Sequence, residues 1–182
     1  MPPKLFPLLL LSLLLLPAAA DPLPDPEAYS VIASTCVPDP RFAYLLAYRA
    51  SNIRFATGRF DPDTPAAARC AIPLRGTAFW STMQVVFVDP DSRSHGATVA
   101  VLLYRLQAGG STQLLAKIDS NLTACAGLEC TSLRHAEVRL AYPDFDFSRY
   151  TYWLEILLVR KTPHLVSPRI HTIWLFDHGG WW

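Results

Sequence analysis

The sequence predicts an antiparallel all-β fold, a β-sandwich of jelly-roll type with about eight strands. Three observations lead there. Beyond position 40, short apolar runs are separated by clusters of Asp, Pro, Gly and Ser, which is the spacing of strands and turns. Within those runs apolar side chains recur at every second residue, and helical periodicity is weak throughout. No internal repeat is present, so the strands must bury their apolar faces against one another, by stacking two sheets or closing a barrel.

The elements follow in order. Arg41 to Ala50 (RFAYLLAYRA) sets Phe42, Tyr44, Leu46 and Tyr48 at alternate positions; a strand is favoured, with one helical turn as the alternative. Ile53 to Phe60 is short and mixed, and Asp61-Pro-Asp-Thr-Pro is a turn. Arg69 to Leu74 reads as a short strand that Pro73 ends or places at an edge. Ala78 to Val88 (AFWSTMQVVFV) reads as one strong strand with Phe79, Met83, Val85 and Phe87 inward. Asp89 to Gly96 is a loop. Thr98 to Leu106 and Gln113 to Ile118 are strands around Gly109-Gly110. Leu133 to Tyr142 alternates, with Ala136, Val138, Leu140 and Tyr142 inward and His135, Glu137 and Arg139 outward. Tyr150 to Val159 is the longest apolar strand, and Arg169 to Phe176 is the last.

The N-terminus supplies an address. Residues 1–20, MPPKLFPLLLLSLLLLPAAA, carry one basic residue, a Leu-rich stretch and a small-residue end. That is the pattern of a secretory signal peptide. The apolar part is short for a bilayer span and no second apolar run follows, so no stable membrane span is expected after cleavage. The expected organisation is a signal peptide at 1–20, a Pro/Asp-rich lead-in arm at 21–40, a sandwich domain at 41–178 and a flexible aromatic tail at 179–182. The expected location is periplasmic or secreted.

Charge excludes one class of partner. The chain has 16 Lys and Arg against 15 Asp and Glu; without Lys4, the only charged residue of the leader, the balance is 15 against 15. Nucleic-acid binding usually calls for a basic excess, so no nucleic-acid partner is expected. The four cysteines, Cys36, Cys70, Cys125 and Cys130, all follow the leader. An even count in an exported chain reads as disulfides. Three pairings are possible, and Cys36–Cys70 with Cys125–Cys130 is favoured because Ala-Gly-Leu-Glu can turn between the latter two. The longer bridge would contribute roughly 3–4 kcal/mol. A four-thiolate zinc site would need paired Cys-x-x-Cys knuckles, which are absent.

Two segments carry a family resemblance. Cys70 to Leu106 has a Cys-x-Ile-Pro-Leu start, a Gly-led strand ending in Asp and a second strand containing Leu-Tyr-Arg; Tyr150 to Leu175 has an aromatic strand, a loop and an Ile-x-x-Ile-x-Leu strand. This pattern resembles β-sandwich modules of exported bacterial proteins. The resemblance implies a sandwich and supplies no catalytic residues.

Candidate chemistry is sparse. A nucleophile elbow, a phosphate-binding Gly-rich loop and a zinc-helix motif are all absent. Asp61/Asp63, Asp89/Asp91 and Asp144/Asp146 are close pairs, and Asp89-Pro-Asp-Ser-Arg-Ser-His-Gly is the nearest to a calcium loop. Arg93 and the lack of a late glutamate favour a plain turn there. Glu137, Glu155 and the aspartates could furnish the two carboxyls of a glycosidase. His135, Glu137 and His171 could meet a zinc ion if their strands were neighbours. No cofactor or metal is expected.

The aromatic residues are more suggestive. With Phe79, Met83, Phe87, Tyr150, Tyr152 and Leu154 inward, Trp80 and Trp153 would point outward, flanked by Thr82, Gln84 and Glu155. Flat exposed rings of this kind stack on sugars or on partner proteins. Trp174 is assigned to the core. The expected site is therefore Trp80, Trp153, Gln84 and Glu155, with a glycan or a surface protein as partner. The leading functional reading is a non-catalytic exported module for recognition or surface structure. Its alternatives are a carbohydrate-binding module, a small secreted hydrolase and an eight-stranded outer-membrane barrel ending in an aromatic residue. Asn121-Leu-Thr is a glycosylation acceptor if the source is eukaryotic.

Overall fold

A computed structural model describes residues 28–56, 64–91, 96–123, 130–162 and 166–178. The leader, the 179–182 tail, Asp61, Asp63 and Cys125 lie outside the described residues. Thirteen strands are present among those described: β1 Ala28–Ile32, β2 Val37–Pro38, β3 Leu46–Arg49, β4 Asn52–Phe55, β5 Ala66–Ala71, β6 Thr77–Phe79, β7 Thr82–Val88, β8 Ala97–Gln107, β9 Thr112–Asp119, β10 Arg134–Arg139, β11 Asp144–Asp146, β12 Tyr150–Arg160 and β13 Arg169–Phe176.

Two sheets face each other. The front sheet runs β10-β7-β13-β4-β3, with β1 also on β13; the back sheet runs β2-β5-β12-β8-β9. Every pairing is antiparallel. The order in which the chain visits the sheets defines the fold. The eight strands β4, β5, β7, β8, β9, β10, β12 and β13 alternate front and back except at the β8–β9 hairpin, and they stand as β4-β13-β7-β10 over β5-β12-β8-β9. That is a jelly roll. The β8–β9 turn closes with a Gly110 N–H to Gln107 C=O bond of 2.9 Å. Gly109 there takes φ +71°, a conformation in which any Cβ would be strained.

Period-two alternation fills the space between the sheets. Ile53, Phe55, Met83, Val85, Phe87, Ile170, Ile173 and Leu175 point inward from the front. Val99, Val101, Leu103, Leu154, Ile156 and Leu158 meet them from the back. An open pair of sheets around an apolar interior is not a barrel with a polar lumen, so the outer-membrane alternative is overturned. No helix among the described residues is long and apolar enough to cross a membrane.

The lead-in arm belongs to the sandwich from Ala28 onward. β1 pairs along β13, and β2 pairs with β5. In the β2–β5 register Cys36 falls opposite Cys70, and the two form a disulfide with Cα atoms 4.5 Å apart. Cys130 is disulfide-bonded as well, which leaves no role for a four-thiolate zinc site. Between Arg41 and Ala50 both readings hold in part: a 3-10 turn at Ala43–Leu45 leads into β3.

The run 78–88 is two strands, and this changes its faces. β6 pairs with the short β11, whereas β7 joins β10 and β13. The break at Trp80-Ser81 shifts the alternation by one residue. Ala78 and Trp80 therefore point inward before it, and Met83, Val85 and Phe87 after it. Phe79, expected inside, is 51% exposed, and Trp80, expected outside, is fully buried. Trp80 packs on Phe145 at 4.8 Å, Tyr29 at 5.8 Å and Phe147 at 6.1 Å. Together with Tyr152 these rings plug one end of the sandwich. Tyr142 is also exposed, because β10 ends at Arg139 and the alternation stops with it.

Candidate functional site

The register of the front sheet places its outward side chains in rows. Ser30, Trp174, Gln84 and Glu137 form the middle row across β1, β13, β7 and β10. Ile32, Thr172, Val86 and His135 form the row on one side of it; Ala28, Phe176, Thr82 and Arg139 form the row on the other. Trp174, assigned to the core from sequence, is 39% exposed at the centre. Its neighbours Ile173 and Leu175 take the core positions instead. Trp174 makes no ring pair among the described residues, and more than a third of it is exposed to solvent.

Hydrogen bonds hold the polar groups around this ring. Gln84 Nε2 donates to Glu137 Oε1. His178 Nε2 lies 3.5 Å from Glu137 Oε2, and its ring meets Phe176 edge-on at 4.8 Å. His178 is positioned by its own backbone N–H, which donates to Ser81 Oγ (3.1 Å), while Ser81 Oγ donates to Asp177 (2.7 Å). The result is a partly exposed aromatic ring with an amide next to it and a carboxylate and imidazole one strand further along the row.

The back sheet is built differently. Its outward rows are Ala71, Trp153, Tyr104 and Leu114, then Val37, Arg69, Glu155, Leu102 and Lys117. Trp153 and Tyr104 lie nearly parallel, 20° apart with centroids at 5.3 Å, so each covers a face of the other. Glu155 pairs with Arg69 at 3.3 Å, and Lys117 with Asp119 at 2.9 Å.

The expected quartet is therefore not one site. Trp80 is interior, Gln84 is on the front face, and Trp153 and Glu155 are on the back. Alternation places each residue on a face of its own strand, but only the strand order says which sheet that face belongs to. Trp174 was the residue missed. Its neighbours Gln84 and Glu137 were the available signal, and they needed the β13–β7–β10 order to be read.

The other candidates also resolve. β7 separates β10 from β13, so the His135/Glu137 strand and the His171 strand are about 10 Å apart. No group of three or more metal-binding side chains occurs among the described residues. Glu137 and Glu155 lie on opposite outer faces and cannot flank one sugar. A small cleft of about 210 Å³ between the β8–β9 turn and residues 147–151 is lined by Leu106, Gln107, Phe147, Arg149 and Tyr150 and presents no carboxylate.

Asp89, first residue of the calcium-loop candidate, is fully buried. It accepts from the Ser120 hydroxyl (2.5 Å) and from the Asp91 N–H (3.0 Å), and Arg134 donates to its backbone carbonyl (2.9 Å). Burial pushes its carboxyl above the usual carboxylate range, against those hydrogen bonds. Asp146 accepts from Ser148 N–H (3.0 Å) and Ser148 Oγ (2.5 Å) in a turn. Those bonds, led by the hydroxyl, hold it below the usual range. Both acids stabilise turns. Asn121 is half-buried, with its Nδ2 donating to Thr98 Oγ1 at 2.9 Å.

No family model matches this chain, and no curated protein matches it in sequence. Among solved structures it is similar to a xylan-binding module, CBM15, at 10% identity and TM-score 0.41, covering 73% of this chain and 82% of that one. It is similar to a family 11 carbohydrate-binding module from Clostridium thermocellum at 8% identity and TM-score 0.41, covering 82% and 87%. It is also similar to the Agl-KA catalytic domain at 10% identity and TM-score 0.42, covering 83% of this chain but 28% of that one. Likeness at this level carries no argument about ligand or activity. The fold class rests on the strand pairings themselves.

Proposed function

We propose that the protein is a non-catalytic exported recognition module that binds glycan on the outer face of its front sheet, with Trp174 as the stacking platform. The observation that carries this reading is the partly exposed indole of Trp174 with Gln84 next to it and, one strand further along the same row, Glu137 and its partner His178. A sugar offers an apolar ring face rimmed by hydroxyls. Such a ligand suits a flat aromatic centre with hydrogen-bonding groups at its edge. The dispersed carboxylates support a binding role over hydrolysis. The secretory leader and the Cys36–Cys70 bridge support an oxidising location outside the cytosol.

The test is binding to a panel of polysaccharides by affinity electrophoresis, with Trp174→Ala beside the parent. Removing an exposed stacking platform should weaken retention at least about tenfold, equivalent to about 1.4 kcal/mol. Circular dichroism should show the fold intact. Unchanged retention by a folded Trp174→Ala variant contradicts the proposal, and so does failure of the parent to bind any member of the panel.

A further inference from the structure

The same front face carries a second feature farther along β13. Arg169 stands directly opposite Arg54 in the β13–β4 register. Two like charges at such a position have Cβ atoms about 5 Å apart and repel. No carboxylate forms an ion pair with either one among the described residues. A register shift between Ile170 and Thr172 puts His171 into a bulge beside them, and a bulge of this kind re-aims a side chain. Asn52 follows the same face of β4, two residues from Arg54.

Four of the eight buried side-chain polar atoms without a partner among the described residues lie here. Arg54 Nε, Arg169 Nε, His171 Nε2 and Asn52 Oδ1 are all shielded from solvent, and none has a hydrogen-bond partner. Buried polar groups are nearly always satisfied, so an orphaned set in one place asks for an explanation. Burial, and then the charge of Arg169, hold the His171 imidazole below its ordinary range. Two guanidinium groups, an imidazole and an amide, with no acid pairing them among the described residues, form a surface for a ligand that brings its own negative oxygens.

We propose that Arg54, Arg169 and His171 bind an anionic substituent, a carboxylate or a sulfate ester, of a polysaccharide whose neighbouring rings lie over Trp174. This inference rests on the glycan reading above and narrows it to acidic glycans. Trp174 and Arg169 lie opposite Gln84 and Val88 of β7, four strand residues apart, or about 14 Å along the sheet. One extended saccharide chain can therefore engage both.

The test uses the purified chain with its disulfides intact and three ligands: a polyuronate, a sulfated glucan and the corresponding neutral glucan. Trp174→Ala, Arg169→Gln and Arg54→Gln are measured beside the parent. The parent is expected to bind one or both acidic polymers, more weakly as salt rises, and which one binds distinguishes carboxylate from sulfate. Each arginine variant should lose about tenfold or more of that affinity, as expected for removal of a charge-assisted hydrogen bond. Lysine at position 169 should restore part of the loss. Preferential binding of the neutral glucan, with the arginine variants unchanged, overturns the anionic inference and leaves the glycan reading standing. If no glucan or uronate binds, both fall. An independent probe of the cluster is inorganic sulfate: at matched ionic strength it should raise the parent's Tm above the value in chloride, and the Arg54→Gln/Arg169→Gln double variant should lose that difference. An equal effect on parent and double variant counts against the site.

Discussion

The two outer faces of the sandwich each carry a tryptophan on a central strand, yet the two rings have opposite surroundings. On the back sheet Trp153 lies against Tyr104, and charge on that face is already paired in Arg69–Glu155 and Lys117–Asp119. On the front sheet, among the described residues, Trp174 makes no ring pair and no carboxylate forms an ion pair with Arg54 or Arg169. An aromatic side chain on a sheet surface is not evidence of binding by itself. What distinguishes a stacking platform from a packing rung is whether its face is already occupied.

That contrast can be sharpened first by a residue on neither face. Trp80→Ala empties the centre of the aromatic plug and should cost about 3–5 kcal/mol of stability. Chemical denaturation measures it. A loss below about 1 kcal/mol would mean that Trp80 does not anchor the end of the sandwich. Next in size is Trp153→Ala, which removes a half-buried ring and its stacking on Tyr104. It should cost about 1–3 kcal/mol and leave glycan retention unchanged. Trp174→Ala should show the reverse order, with a smaller stability loss of about 1 kcal/mol and lost retention. If Trp153→Ala abolishes retention while Trp174→Ala preserves it, the assignment of the two faces is backward.

The smallest effect concerns pH. The folded state raises the pKa of Asp89, so this carboxyl binds its proton more tightly folded than unfolded. Its contribution favours the fold at acid pH and is lost as pH rises from the ordinary carboxylate range, about 3.9, through the raised value. Asp89→Asn cannot ionise yet still accepts from Ser120. The stability of the parent minus that of the variant should therefore fall as pH rises across that range. A difference that rises with pH would contradict the assignment. Asp146, held below its ordinary range by Ser148, acts in the opposite sense and loses its stabilising contribution as pH falls.

The fold was legible in the sequence because period-two alternation and turn residues are local signals. Tyr150–Val159, Thr98–Leu106 and Arg169–Phe176 all proved to be strands at nearly those bounds. Local signals fail where a strand breaks without a Gly or a Pro. The shift at Trp80-Ser81 has no such marker, and it exchanged the faces of Phe79 and Trp80. Site residues were half legible for a related reason. Alternation points Gln84, Glu137 and Glu155 outward, but whether two outward residues share a face depends on sheet order. That order is set by contacts far apart in sequence, such as β13 inserted between β4 and β7. Trp174 was hidden by its context, since a Trp between Ile173 and Leu175 looks like core until their alternation is followed.

The most direct measurement is an NMR titration that follows the tryptophan indole N–H signals, assigned with Trp→Phe variants, as an acidic oligosaccharide is added. The Trp174 signal should shift in a saturable manner while those of Trp80 and Trp153 stay in place. A saturable shift of Trp153 with Trp174 unmoved would contradict the account, and so would the absence of any shift under conditions where the polymer is retained.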